Sequence, residues 1–261
     1  MLAPVALVAA GILAITAISS GDDGPPKAAA ESQDASNRLD NVVFPTSTSS
    51  TTTSAPPEAL ASDASTPICT VSNEEVEAAF AQLEEVEVVT EFVGFDDYDR
   101  DDYTGGGWPD SDGDCQSDRH EILIEESLEE PTLDAEGCRV ISGFWIDAYD
   151  GTEYTSADEV TIDHFIPLAA AHRAGGWEWD IEQKRTFSSD ISFPATHAVV
   201  GGDVNQSKGD RGPEDWRPPL ESAWCGYAVD WVAVKARWDL AFTQAEVAAI
   251  EEMLNTCNPD G

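Results

Sequence analysis

The apolar residues of positions 72–86 recur at the spacing of an α-helix. Those that would share its buried face are Val76, Ala79, Phe80, Leu83 and Val86. Ser72 and Glu75 form a capping box at the start of this segment, in which each side chain accepts a hydrogen bond from the other residue's backbone N–H. The pattern therefore predicts a helix that opens at this capping box.

Two further helices are predicted near the C-terminal end, over 222–238 and 243–257. Thr243 and Glu246 form a second capping box at the start of the later one. Its apolar stripe comprises Val247, Ile250, Leu254 and Cys257, so the Cys257 side chain is expected to face the core. Shorter helices are predicted over 117–128 (with Ile122 and Leu123 inward), 168–173 and 181–187.

Extended segments are predicted over 139–146, 154–155, 160–166 and 195–200. Asp150 and Gly151 predict a turn between the first two, and Pro167 would end the third. The stretch 96–114 is rich in Asp, Gly and Tyr and is predicted to be a loop. The mixture indicates an α+β fold, mostly helical, in a single domain.

The N-terminal quarter has a different composition. Residues 1–20 contain an uncharged apolar run and then small residues, as in a secretory signal peptide, although the usual basic n-region is missing. Retention of this run as a membrane anchor is the open alternative. Residues 21–66 are rich in Ser, Thr, Pro and Ala, which predicts a disordered linker. The folded domain is therefore expected to span 67–261, outside the cell.

Five cysteines in an apparently exported chain favour disulfide bonds. Two pairings are plausible, Cys115 with Cys138 and Cys225 with Cys257. Cys69 is left over at the edge of the predicted domain, and its state is open. No two cysteines form a CxxC pair, which disfavours a structural zinc site.

The chain is strongly acidic, with a net charge of −38. Such a charge repels a polyanionic substrate. The acidity is uneven: residues 67–159 contain 28 acidic and 3 basic residues, whereas residues 160–240 contain 12 and 8. A solvating surface, of the kind suited to a salty environment, accounts for the excess. The charge weakens a nucleic-acid function without excluding it.

The near-neutral segment holds the candidate chemistry. Asp163 and His164 come at the end of a predicted strand. Asn205 and Lys208 come at the start of a helix that follows the strand predicted over 195–200. Carboxylate and amide oxygens are suitable ligands for Mg²⁺. A histidine beside them takes up a proton near neutral pH. Together these residue types suit metal-assisted phosphodiester hydrolysis.

Five groups of residues resemble the HNH (ββα-metal) endonuclease superfamily, and most closely the secreted bacterial group related to the C-terminal domain of the GmrSD restriction endonucleases. The groups are Cys115-x-x-x-Arg119-x-Glu121-x-Leu123, Gly143-x-Trp145, Asp163-His164-x-x-Pro167-Leu168, Asn205-x-x-Lys208-Gly209-Asp210 and Trp216-x-Pro218-Pro219. The resemblance covers roughly 95–257. It implies a domain built around a ββα-metal motif and braced by disulfides.

The resemblance also implies a role for each matching residue. Asp163 and Asn205 would be the metal ligands, and His164 would be the general base. Lys208 would stabilise the charge of the transition state or bind the flanking phosphate, and Arg119 would bind substrate. The superfamily commonly has a further asparagine about nine residues before the second metal ligand, where it orients the loop of the histidine.

Here the chain departs from that pattern. The corresponding neighbourhood contains Thr196 and His197, either of which would have to orient the histidine. The departure bears more on catalytic efficiency than on the type of reaction.

The predicted function is thus a secreted endonuclease with low sequence specificity that uses one divalent ion, Mg²⁺ or else Mn²⁺. DNA is expected as substrate in preference to RNA, although the residues themselves leave the choice open. We expect a monomer, and nothing in the sequence indicates a dedicated protein partner. The alternative is a non-catalytic, acidic, disulfide-braced module that binds a surface or cell wall.

Other residues that carry potential chemistry have simpler explanations. Asp110, Asp112 and Asp114 suggest a calcium loop, but an EF-hand register would place Trp108 and Arg119 where carboxylates are needed. We therefore expect a turn stabilised by aspartates. His120 and His172 are expected to face solvent. Core packing is expected for Trp216, Trp224, Trp231 and Trp238.

Overall fold

A computed structural model describes residues 71–94 and 97–257. The predicted leader (1–20), the predicted linker (21–66) and Cys69 lie outside the described residues. The helices are α1 (Asn73–Leu83), α2 (Arg100–Thr104), α3 (Asp118–Glu125), α4 (Leu168–Arg173), α5 (Ile181–Ser188), α6 (Gly202–Lys208), α7 (Trp224–Arg237) and α8 (Gln244–Leu254). The strands are β1 (Val88–Val89), β2 (Thr132–Leu133), β3 (Val140–Ile146), β4 (Glu153–Ser156), β5 (Val160–His164), β6 (His197–Gly201) and β7 (Phe242–Thr243).

This mixture of helix and strand confirms the α+β character of the chain. Both predicted capping boxes are present, at Ser72 and Glu75 before α1 and at Thr243 and Glu246 before α8. They form because the side-chain oxygens satisfy backbone N–H groups that a helix start leaves without partners. Within the described ranges, no helix is long and apolar enough to cross a membrane.

The strands form three small sheets. Strands β2, β3 and β4 make an antiparallel sheet, and β1 pairs in parallel with β7. Strand β5 pairs antiparallel with β6 over its whole length, from Val160 opposite Gly201 to His164 opposite His197. All residues of β6 are buried. This buried two-stranded sheet fixes the position of the candidate site.

Two apolar clusters hold these elements together. The larger one packs α7 and α8 against α1, α4 and the ends of β5 and β6, and the smaller one packs α3 against β3, β5 and β6. The four tryptophans expected in the core are all buried in or packed against the larger cluster. Ile122 and Leu123 of α3 point into the smaller cluster, as predicted.

Both predicted disulfides are present. Cys115–Cys138 ties the loop before α3 to the start of β3, and Cys225–Cys257 ties the beginning of α7 to the end of α8. Each bond closes a loop of the chain, which lowers the conformational entropy of the unfolded state.

The loop predicted over 96–114 contains the short helix α2, which begins at the N-cap Asp99 and ends at Gly105. The predicted strand at 195–200 is also shorter than expected. Residues Pro194–Thr196 form a 3₁₀ turn, and the strand begins at His197. Proline at the start of this turn removes a backbone N–H that a sheet would need.

The prediction that the two histidines outside the site face solvent is wrong. His172 is fully buried, with Nδ1 3.0 Å from the Tyr103 hydroxyl and Nε2 3.0 Å from Asp97 Oδ1. His120 is half-buried, and its Nδ1 accepts a hydrogen bond from the backbone N–H of Val140. Both rings serve to attach one segment to another.

Asp230 of α7 should make stability depend on pH. Burial, and then the negative charge of Glu75, raise its pKa to about 7. No described group forms a hydrogen bond or ion pair with this carboxylate. A raised folded-state pKa means that stability is greatest when the group is protonated and falls as the pH rises from about 4 to about 7.

A pKa raised from about 4 to about 7 corresponds to about 4 kcal/mol. Because Asp230 is only half-buried, solvent screening reduces this value. Replacing Asp230 by asparagine is therefore expected to stabilise the protein by about 2 kcal/mol at pH 8 and by close to nothing at pH 4. Urea unfolding at the two pH values measures the difference. Glu77→Gln, at an exposed position of α1, is the control and should change neither value. An equal change at both pH values for Asp230→Asn would contradict this account.

Candidate functional site

Strand β5 and helix α6 bring the predicted site residues to one place. Asp163 and His164 are the last two residues of β5. The paired strand β6 runs back beside them and leads through Gly201 directly into α6, where Asn205 lies. As a result, Asp163, His164 and Asn205 all line one cavity of about 560 Å³.

The Asp163 carboxylate is buried and held by two donors. Its Oδ2 accepts a 2.7 Å hydrogen bond from the Tyr149 hydroxyl and forms an ion pair with Lys208 Nζ. Burial raises the pKa of Asp163, and the charge of Lys208 opposes that shift. Both contacts use Oδ2, and within the described part of the chain no hydrogen bond reaches Oδ1. One carboxylate oxygen is thus available at the cavity.

Lys208 is fully buried and braces the end of β5. Besides its ion pair with Asp163, Nζ donates to the carbonyl oxygens of His164 at 3.2 Å and Phe165 at 2.8 Å. Burial lowers the pKa of Lys208, and the negative charge of Asp163 opposes this. All three of these partners lie inside the protein, so the structure assigns Lys208 a bracing role, and its role toward the transition state or a substrate phosphate stays a prediction.

The His164 ring is fixed on both its edge and its face. Its Nε2 lies 2.9 Å from the Ser188 carbonyl oxygen, a contact in which the ring must donate, and Trp108 stacks on it with the planes 6° apart. The proton on Nε2 leaves the lone pair on Nδ1 in the neutral tautomer. Burial, and then the neighbouring His197, lower the pKa of His164 to about 3, so the ring is neutral at physiological pH.

His197 and Thr196 were the two candidates to orient His164. The His197 ring packs edge-on against His164, with centroids 5.2 Å apart, and its Nε2 lies 3.1 Å from the same Ser188 carbonyl. Burial lowers the pKa of His197 to about 4.

The Thr196 hydroxyl is buried without a hydrogen-bond partner among the described residues, which corrects the expectation that it orients the histidine loop. Only the backbone of Thr196 takes part, since its carbonyl accepts the N–H of Phe165 at 2.9 Å. Of the two candidates, His197 is the one whose side chain lies against His164.

Asn205 is half-buried in the cavity wall. Its backbone carbonyl accepts from the N–H of Gly209, which closes the C-terminal end of α6. For its side-chain amide, no hydrogen bond is found within residues 71–94 and 97–257. Asn205 and Asp163 thus line the same cavity, and each has a side-chain oxygen without a hydrogen-bond partner among the described residues.

Arg119 serves the fold. Its guanidinium donates to the backbone carbonyls of Ala157 at 3.1 Å and Val160 at 3.0 Å, and so fastens α3 to the start of β5. Both contacts use one guanidinium nitrogen, and the role of Arg119 in substrate binding stays a prediction. The Arg119 side chain helps to position β5, the strand that carries Asp163.

Four residues that shape the site were missed from the sequence: Trp108, Tyr149, Ser188 and Arg100. No local pattern marks them, because each lies in a different segment from the residue that it contacts. The Trp108-Pro109 pair inside a glycine-rich loop is a weak clue, since a large apolar residue at such a position often has a packing partner elsewhere.

The aspartate-rich turn lies apart from this cavity. Oxygens of Asp110, Asp112 and Asp114 come within 4.8 Å of one another at an exposed position. The three carboxylates accept backbone N–H groups of residues 113–116, as an aspartate-stabilised turn requires. This geometry agrees with the expected turn.

The chain is similar to a secreted protein of known sequence. An "Uncharacterized secreted protein" of Arthroderma benhamiae is 40% identical over 163 residues, which are 62% of this chain and 76% of that protein. No family model matches the chain. No solved structure matches it either.

Proposed function

This chain belongs to the same family as the secreted protein of Arthroderma benhamiae, and we propose that it is an exported, metal-dependent endonuclease of the HNH type. The observation that carries the proposal is the convergence of Asp163, His164 and Asn205 on one cavity at the junction of β5 and α6. Two antiparallel strands followed directly by a helix also fit the ββα-metal arrangement that the sequence motifs resemble.

The donor set fits a divalent cation. Asp163 Oδ1 and the Asn205 amide oxygen would hold it, since both are hard oxygen ligands of the kind that Mg²⁺ and Mn²⁺ prefer. When bound, such an ion neutralises charge on the scissile phosphate and on the departing 3′ oxygen. Tyr149 and Lys208 keep the Asp163 carboxylate in a single orientation by holding its other oxygen.

His164 is placed to act as the general base. Its Nε2–H is directed at the Ser188 carbonyl, so Nδ1 would accept a proton from the attacking water. Trp108 and His197 pack on two sides of the ring and keep it from turning away. The water oxygen then bonds to phosphorus as the bond from phosphorus to the 3′ oxygen breaks.

Specificity would come mainly from contacts to the sugar–phosphate backbone. No helix-turn-helix or zinc-finger pattern accompanies the motifs in the sequence. Contacts to phosphates position a nucleic acid but do not discriminate between sequences. We therefore propose low sequence specificity, with DNA as the preferred substrate and a monomer as the active form.

Metal-dependent nicking of supercoiled plasmid DNA by the full chain tests the proposal. Nicking is expected with MgCl₂ or MnCl₂ and is expected to stop with EDTA. Asn205→Ala should raise the metal concentration for half-maximal rate at least about tenfold, because one of two protein ligands is lost. Gln206→Ala, at the exposed neighbouring position, is the matched control and should behave like the wild type.

Failure of nicking under every metal and salt condition would contradict the proposal and would leave a non-catalytic binding module as the better account. Identical metal dependence in Asn205→Ala and in the wild type would remove Asn205 from the ligand set.

A further inference from the structure

Three cavities lie next to one another near His164 and share lining residues. The cavity of about 560 Å³ that contains the candidate ligands shares His164 and Arg100 with a cavity of about 260 Å³. That smaller cavity shares Trp108 and Ser188 with a third one of about 1080 Å³, which extends over α5. We call the three together the His164 groove.

Two arginines line this groove and are exposed. Arg100, at the start of α2, lines both cavities that contain His164. Arg185 of α5 lines the third cavity next to Gly105. If Gly105 carried a β-carbon, that atom would lie 3.7 Å from the Arg185 Nε.

Neither arginine has a carboxylate partner among the described residues, although the chain contains 51 acidic residues and 13 basic ones. Six other cations of the described residues do form ion pairs with carboxylates: Arg173, Lys184, Lys208, Arg217, Lys235 and Arg237. Carboxylates also line the three cavities, namely Asp101, Glu182, Asp190 and Asp210. The two unpaired arginines are therefore local positive charges on a surface that is otherwise acidic.

The wall between the two arginines is open. A Cβ placed on Gly106 or Gly107 would meet no atom within 4 Å, so bare backbone lines this part of the groove. Trp108 follows, with one face against His164. A polymer can therefore approach the backbone closely along this path without displacing any side chain.

We propose that Arg100 and Arg185 bind two phosphates of one nucleic-acid strand, Arg100 beside the phosphate at His164 and Arg185 further along, beyond Trp108. The inference rests on the proposed function and names the substrate contacts of the same site. The two arginines share the substrate-binding role that the sequence predicts for Arg119 and Lys208. Guanidinium groups suit this role because they bind phosphate oxygens in pairs.

The test measures binding separately from cleavage. The full chain carrying His164→Ala binds a fluorescently labelled single-stranded oligonucleotide in MgCl₂, and anisotropy is recorded over a range of NaCl concentrations. Arg100→Gln and Arg185→Gln should each weaken binding about tenfold at low salt. Each should also reduce the slope of log affinity against log salt by about 0.7, the value for one lost phosphate contact on a single strand.

Arg139→Gln is the matched control, because Arg139 is also exposed and without a carboxylate partner but lies outside the groove. It should leave the slope unchanged. Arg100→Lys should restore most of the slope, because lysine keeps the positive charge. If Arg100 had only a structural role, the lysine variant would have no reason to restore the slope. Duplex and RNA oligonucleotides measured in the same way rank the substrates.

Equal slopes for the two glutamine variants and the Arg139→Gln control would overturn the inference. If the wild-type chain still nicks plasmid DNA in that case, the proposed function stands and only these contacts are wrong. If the wild-type chain neither binds nor cleaves any nucleic acid, the proposed function and the inference fail together.

Discussion

Replacing Lys208 by methionine is expected to lower the free energy of unfolding by about 3–5 kcal/mol, the usual cost of breaking a buried ion pair by removing one partner. Lys208 is fully buried, and Asp163 is 5% exposed. The substitution leaves the Asp163 charge without its cation and leaves the carbonyl oxygens of His164 and Phe165 without a donor. Methionine fills a similar volume, so the loss reports the polar contacts and not a cavity.

Urea unfolding at neutral pH measures this loss. Arg217→Met is the control, since Arg217 pairs with the exposed carboxylate of Glu252 and should cost about 1 kcal/mol or less. Adding Asp163→Asn to Lys208→Met should recover part of the stability, because the buried charge is then removed as well. A loss no larger than that of the surface control would show that Lys208 does not brace the site.

Replacing His164 by alanine is expected to slow metal-dependent cleavage by a factor of about 10²–10⁴, the usual contribution of a positioned general base. In the proposed mechanism the His164 Nδ1 lone pair accepts the proton of the attacking water, because Nε2 is held by the Ser188 carbonyl, and alanine has no such group. Single-turnover rates of plasmid nicking, measured at saturating metal, give the factor without a contribution from product release.

His120→Ala is the control for this substitution. His120 is half-buried and binds the backbone of Val140, away from the cavity, so its loss should change the rate by less than about threefold. Imidazole added to the solution should restore part of the activity of His164→Ala but should not affect His120→Ala. A His164→Ala rate within about threefold of the wild-type rate would contradict the assignment of His164 as the base.

Much of the fold follows from local patterns in the sequence. Both capping boxes and both disulfides are where the sequence predicts them, and α4 has the predicted bounds. Capping depends on residues three positions apart, and helix stripes on residues three and four apart, so a single segment contains the whole pattern. The stripe also pointed to Cys257 as a core-facing residue, but α8 ends at Leu254 and Cys257 lies just beyond the helix predicted to contain it.

Side-chain partners distant in the chain were not predictable in this way. The spacing of Asn205 and Lys208 places both on α6, but it does not tell that Lys208 turns inward to Asp163, 45 residues earlier. His172 was expected in solvent because no neighbour in sequence explains a buried imidazole there. Its partners Tyr103 and Asp97 lie 69 and 75 residues away, and only the folded chain brings them together.

The contacts of Trp108 and Tyr149 illustrate the same limit. Trp108 lies in a loop whose composition predicts only a turn, yet it stacks on His164. Tyr149 precedes the predicted Asp150 turn and donates to Asp163 from there. Resemblance to a family assigns roles to matching positions, but it does not identify the supporting residues that pack behind them.

The location of a bound cation tests the central claim most directly. Crystals of the protein soaked in MnCl₂ would be measured for anomalous scattering at the manganese edge. The account predicts a peak about 2.0–2.3 Å from both Asp163 Oδ1 and the Asn205 amide oxygen, inside the cavity that His164 also lines. Manganese bound only at the exposed carboxylates of residues 110–114, with none near Asp163, would contradict it.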